Sequence, residues 1–189
     1  MDFSTYKKTR LARPDYSRAG AIDLPIQKLC ALLNSNLSFA TLSSCSGRIC
    51  LFEISSAQKK QGTRGLIKTH APATAKEIWK ATKAYEGKKK LLFISEPPIL
   101  HVAAATLEHA QQLLLLGREA GFKKSGILSL GTYPIVELVS TEVLAIPVFD
   151  KKLLIAEQYV QYFVMDGNKK IKGGWRKIEV LRKTIDNDN

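Results

Sequence analysis

The sequence predicts an α+β fold, a single domain built on a mixed, largely antiparallel sheet flanked by helices. Three observations carry that expectation. Apolar residues at helical spacing alternate with short runs rich in Ile, Leu, Val and Phe. Those runs come in neighbouring pairs, as α+β architectures arrange them. No Gly-x-Gly-x-x-Gly follows any of them, so a nucleotide or methyl-donor loop of the Rossmann type is absent.

Phe3 to Leu11 reads as a short helix with Phe3, Lys7 and Leu11 on one face. DLPIQKLCALLN is a second: Asp23 suits the cap, Pro25 the first turn, and Ile26, Leu29, Cys30 and Leu33 form an apolar stripe. Leu37 to Leu42 and Ile49 to Ile54 are strand-like, with the hydroxyl-rich stretch TLSSCSGRI (41–49) between them. SSAQKKQGTRG (55–65) is a basic loop, and Leu66 to His70 is a strand. Pro72 opens a helix through Tyr85, where Thr74 and Glu77 have capping-box spacing. Leu91 to Ile94 and Ile99 to Ala104 are strands around SEPP, and Thr106 to Ala120 is a helix stopped by Gly121. Lys124 to Leu130 and Ile135 to Val139 form a hairpin across GTYP, and Val143 to Val148 is a strand broken by Pro147. From Lys151 the chain reads as helical, with bends or breaks expected at Asp166-Gly167 and Gly173-Gly174.

The length of 189 residues suits one domain, 1–189, with a basic helical C-terminal segment from about residue 151. No apolar run is long enough to span a bilayer, and MDFSTYKKTR lacks the apolar core of a secretory signal. Three cysteines, Cys30, Cys45 and Cys50, are irregularly spaced, which argues against a disulfide framework and for a cytoplasmic setting. His70, His101 and His109 are far apart, and no metal-ligand spacing occurs, so no metal is expected. The net charge of +12 favours a polyanionic partner. Between Gly167 and Lys183, the basic residues Lys169, Lys170, Lys172, Arg176, Lys177, Arg182 and Lys183 face one acid, Glu179.

Within 41–49, Ser43, Ser44 and Ser46 offer hydroxyls, Gly47 permits close backbone approach, and Arg48 offers a fork matched to a carboxylate or phosphate. The stretch suits a cradle for an anionic ligand or an ordinary hairpin turn around a small thiol. Cys45 can be a nucleophile beside Arg48, a redox partner of Cys50, or a packing and ligand contact. His70 and His101 stand at strand ends, and Glu96 precedes two prolines. Lys123, Lys124, Ser125 and Gly126 follow the helix-ending Gly121 and suit a phosphate contact or a turn.

TLSSCSGRI, KTH (68–70), EPPILHV (96–102), AGFKKSGI (120–127) and STEVLAIPV (140–148) occur in that order, preceded by LARPDYSRAGAID. Together these blocks resemble the wybutosine-synthesis methyltransferase family, which modifies the base next to the anticodon of phenylalanine tRNA. The resemblance implies methyl transfer from S-adenosylmethionine to a ring nitrogen, N4, of a 4-demethylwyosine-type guanosine, without a Rossmann-type fold. It assigns Ser43, Ser44, Cys45, Ser46, Gly47, Arg48, Ser125 and Gly126 to the donor. Arg48 pairs with the donor carboxylate or a tRNA phosphate. The available general bases are His70, which is preferred, His101 and Glu96. Lys123, Lys124, Lys169, Lys170, Arg176 and Lys177 are assigned to tRNA, and Tyr133 and Trp175 are candidates to stack on the base or to pack. A non-catalytic RNA-binding module is the alternative.

Overall fold

The computed structural model of the chain describes residues 2–13, 21–54 and 64–188. Much of LARPDYSRAGAID and most of the basic loop after Ile54 lie outside the described residues. The elements are α1 (Phe3–Leu11), α2 (Leu24–Ser35), β1 (Phe39–Cys45), β2 (Arg48–Ile54), β3 (Arg64–Thr69), α3 (Ala75–Lys83), β4 (Lys90–Glu96), β5 (Ile99–Ala104), α4 (Leu107–Glu119), β6 (Gly126–Ser129), β7 (Ile135–Val139), β8 (Leu144–Asp150), β9 (Lys152–Leu153) and α5 (Glu157–Asp188). The α+β class holds. Among the described residues the strands form two sheets, ordered β1-β5-β7-β6 and β3-β2-β4-β8-β9, with every pair antiparallel. No helix among the described residues is long and apolar enough to cross a membrane.

The backbone gathers into two compact units, each assembled from separate stretches of chain. The first comprises Met1–Ser46, Pro98–Thr141 and Gly174–Asn189; the second comprises Gly47–Pro97 and Glu142–Gly173. In the first, the stripe Ile26, Leu29, Cys30 and Leu33 of α2 is buried with Leu113 of α4, Ile178, Leu181 and Ile185 of α5, and Leu100, Val102, Val136 and Leu138 of the sheet. Burying such side chains stabilises by about 1.5–3 kcal/mol each, which is what holds the helices on the sheet. Helix α1 buries no residue; its Phe3 and Tyr6 rings instead meet Tyr133, at 4.9 and 4.8 Å between centroids.

In the second unit, the ring of Phe93 of β4 meets that of Phe163 of α5 at a tilt of 54°, 4.9 Å between centroids, beside buried Ile49, Leu51 and Leu91. Thr74 and Glu77 form the expected capping box of α3. Asn168 of α5 clasps the residue before that cap, accepting from Ala73 N at 2.9 Å and donating to Ala73 O at 2.8 Å.

Four expectations change. Strand β1 extends through Ser43, Ser44 and Cys45, because these residues pair with His101, Leu100 and Ile99 of β5; tertiary pairing overrides the weak strand preference of serine. The 41–49 stretch is not a hairpin turn, because β1 and β2 belong to different sheets and only Ser46 and Gly47 separate them. Pro147 does not break β8: it pairs with Leu92 where the ladder shifts register, a place that tolerates the missing donor. Finally, α5 runs for 32 residues without a break at either glycine site, and Lys152–Leu153 before it is a strand. The glycines serve close approach instead. A Cβ on Gly167 would lie 2.9 Å from Phe93, and one on Gly174 would lie 2.6 Å from the Pro98 ring.

Candidate functional site

The residues of the 41–49 stretch have distinct surroundings. In the first unit, Ser46 is fully buried: its N–H donates to Asp23 Oδ2 at 2.8 Å, its hydroxyl donates to the same oxygen at 3.1 Å, and its carbonyl accepts from Trp175 Nε1 at 3.1 Å. Asp23 sits at the N-cap of α2 but makes no side-chain cap; its carboxylate holds Ser46 instead. Trp175, partly buried against the core, thus acts in packing, and Tyr133 likewise packs on α1. The Ser44 hydroxyl contacts Cys30, whose thiol pKa is pushed up by burial and only partly lowered by that contact. All three cysteines are reduced thiols; Cys30 and Cys50 are buried and Cys45 is half-buried. Cys50 sits within β2, paired with Lys68 and Ile94.

Ser43 is the exposed hydroxyl of the stretch. Its Oγ lies 2.7 Å from His101 Nδ1, and His101 Nε2 lies 2.9 Å from Glu137 Oε2. Farther along the same unit, the Ser125 hydroxyl donates to Phe122 O and accepts from Val139 N at 3.0 Å, so it braces the turn that presents exposed Lys123 and Lys124. Gly126 has open space where a Cβ would stand. Arg176 is exposed, and Lys177 donates to Thr141 Oγ1 at 3.2 Å.

In the second unit, Gly47 adopts φ 91°, a left-handed conformation that favours glycine. Its carbonyl accepts from His70 Nδ1 at 3.0 Å. Nδ1 therefore carries the proton, and in the neutral ring Nε2 carries the lone pair. Arg48 and Glu96 face each other across β2 and β4 and form an ion pair through Nε, each side chain 29% exposed. Glu96 is thus a partner that orients the guanidinium. Lys169 is exposed and Lys170 half-buried on α5.

Asp23 and Glu137 are the two polar side chains the sequence did not single out for the site. A lone carboxylate in the apolar run IVELV is the trace that marks Glu137, but its partner is visible only in the β5–β7 register.

A family model described as Methyltransferase TYW3 matches residues 4–187. A tRNA(Phe) 7-((3-amino-3-carboxypropyl)-4-demethylwyosine(37)-N(4))-methyltransferase of Archaeoglobus fulgidus is 34% identical over 87% of this chain and 83% of its own. A tRNA wybutosine-synthesizing protein 3 homolog of Mus musculus is 34% identical over 94% of this chain and 70% of its own. A solved structure of a Pyrococcus horikoshii protein superimposes with a TM-score of 0.89 at 32% identity, covering 97% of this chain and 96% of the other.

Proposed function

Because the chain belongs to the Methyltransferase TYW3 family, we propose that it transfers a methyl group from S-adenosylmethionine to N4 of a 4-demethylwyosine-type guanosine beside the anticodon of phenylalanine tRNA. It is a methyltransferase, and the reading of donor and substrate rests on the match across residues 4–187 together with the Ser-Ser-Cys-Ser-Gly-Arg stretch. The donor carries a carboxylate, an ammonium and a sulfonium. The stretch fits such a group chemically: it offers an exposed hydroxyl, a half-buried thiol, a left-handed glycine and an oriented guanidinium.

When bound, the donor supplies an electrophilic methyl group, so the protein's tasks are alignment and proton removal. Alignment of this kind can contribute about 7–11 kcal/mol at best. We assign binding of the donor to Ser43–Arg48 with Ser125 and Gly126. Arg48, held by Glu96, pairs with the donor carboxylate or a tRNA phosphate. Ser46 acts indirectly by fixing the backbone through Asp23, and Ser125 acts by shaping its turn. His70, His101 and Glu96 are the candidate proton acceptors. Lys123, Lys124, Lys169, Lys170, Arg176 and Lys177 contact tRNA phosphates, in the cytoplasm where that tRNA resides.

Titration calorimetry with S-adenosylmethionine tests the donor assignment. Saturable binding that Arg48→Ala weakens supports it, as does loss of tRNA affinity in that variant if Arg48 serves a phosphate. Unchanged affinity for both removes Arg48 from the site. A non-catalytic RNA module would bind tRNA and leave the donor unbound.

A further inference from the structure

We propose that Ser43, His101 and Glu137 form a proton relay that receives the proton displaced by methyl transfer, an inference that rests on the methyltransferase reading above. The three side chains lie in one row across three hydrogen-bonded strands. Ser43 pairs with His101 between β1 and β5, and His101 pairs with Glu137 between β5 and β7. The row owes its alignment to an irregularity: β1 shifts register between Thr41 and Ser43. Without that shift, Ser43 would stand opposite buried Leu100 instead of His101. Bulges re-aim side chains in this way.

The flanking residues Leu100, Val102, Val136 and Leu138 are buried in the core. Alternation along the strands therefore puts the Ser-His-Glu row on the opposite face of the sheet. Ser43, at one end, is exposed, whereas the His101 and Glu137 side chains are 24% and 31% exposed. An ionised carboxylate only accepts, so His101 Nε2 carries a proton toward Glu137. In the neutral ring Nδ1 is then the acceptor, and the Ser43 hydroxyl donates to it. The Ser43 oxygen keeps its lone pairs for a donor arriving from outside. His70 is held in the opposite tautomer by the Gly47 carbonyl.

The step balances. The target N–H donates to Ser43 Oγ. As the N–CH3 bond forms and the S–CH3 bond breaks, the ring proton passes to Ser43 Oγ while Ser43 passes its own to His101 Nδ1. The positive charge lost from sulfur ends on the imidazolium, where Glu137 stabilises it until water takes the proton. Ser43 is the catalytic residue; His101 and Glu137 act through it as positioning and relay residues.

The test uses the full chain with its tRNA and donor. Ser43→Ala and His101→Asn are expected to lower the single-turnover methylation rate by about 10²-fold or more, and Glu137→Gln by at least about tenfold. In His101→Asn and Glu137→Gln, calorimetric affinities for S-adenosylmethionine and tRNA stay near wild type. The double variant of His101 and Glu137 is no worse than the poorer single variant, as expected of groups acting as a unit. Nitrogen-15 NMR of the wild-type protein alone should find His101 as the Nε2–H tautomer, a readout independent of turnover and of whether the variants fold. Folded variants that keep the wild-type rate would overturn the relay, as would an Nδ1–H tautomer. A loss confined to donor affinity would also overturn it, making Ser43 a holder of the donor ammonium. A wild-type protein that binds no donor and transfers no methyl group would overturn the methyltransferase reading and the relay together, a result unlike retained rate in the variants.

Discussion

At the scale of single residues, the 41–49 stretch divides its labour between building and contact. Gly47 has a left-handed backbone, and its carbonyl is held by His70. Gly47→Ala should therefore cost about 1–3 kcal/mol in denaturant unfolding, the usual cost of a left-handed non-glycine residue. Cys45, half-buried in a strand, is a contact residue in this account; Cys45→Ser should keep a measurable methylation rate, whereas a nucleophile would lose all of it. The residue types of this stretch were legible in the sequence, and so was Arg48. The direction of each side chain was not. Ser46 turns inward onto Asp23, 23 positions away, and Asp23 read locally as nothing more than a helix cap. Local pattern reports on neighbours within a turn or two, and carries no information about a partner at that distance.

At the scale of elements, caps and periodicity were readable because they are local. Thr74 accepts from Glu77 N while Glu77 accepts from Thr74 N at 3.0 Å. Thr74→Ala should cost about 1 kcal/mol, measured by thermal unfolding. Hydrogen bonds from the Thr74 hydroxyl and then its N–H hold the Glu77 carboxyl below its ordinary 4.5. A depressed carboxyl stabilises the fold above its unfolded pKa, and that stability is lost as pH falls through the lower folded value. Protection of the first amides of α3 from hydrogen exchange should accordingly fall only below about pH 4.5. Helix α5 continues through its glycines although intrinsic propensity runs about 1 kcal/mol against each, because Gly167 and Gly174 admit the close approach of Phe93 and Pro98. Gly174→Ala tests that reading. Propensity alone predicts a more stable protein, but a Cβ 2.6 Å from the rigid Pro98 ring predicts a loss of about 1–3 kcal/mol.

At the scale of the whole molecule, the α+β class followed from the order of elements, whereas the partition of strands between two sheets did not. β1 and β2 are neighbours in sequence and invite a hairpin, yet each finds its partners elsewhere, β1 with β5 and β2 with β3 and β4. The net charge of +12 is the other global property, and it speaks to the polyanionic substrate. If the six assigned basic residues each meet a phosphate, tRNA affinity should drop by roughly 10³-fold between about 50 and about 200 mM salt; a nearly flat salt response would remove them from the interface. The central claim is methyl transfer to N4 of the demethylated base. It is tested most directly by incubating the protein and labelled S-adenosylmethionine with phenylalanine tRNA that carries that base, then identifying the labelled nucleoside by mass spectrometry. The account predicts one added methyl group on the ring nitrogen of that nucleoside. tRNA that is bound by the protein and recovered without label would contradict it.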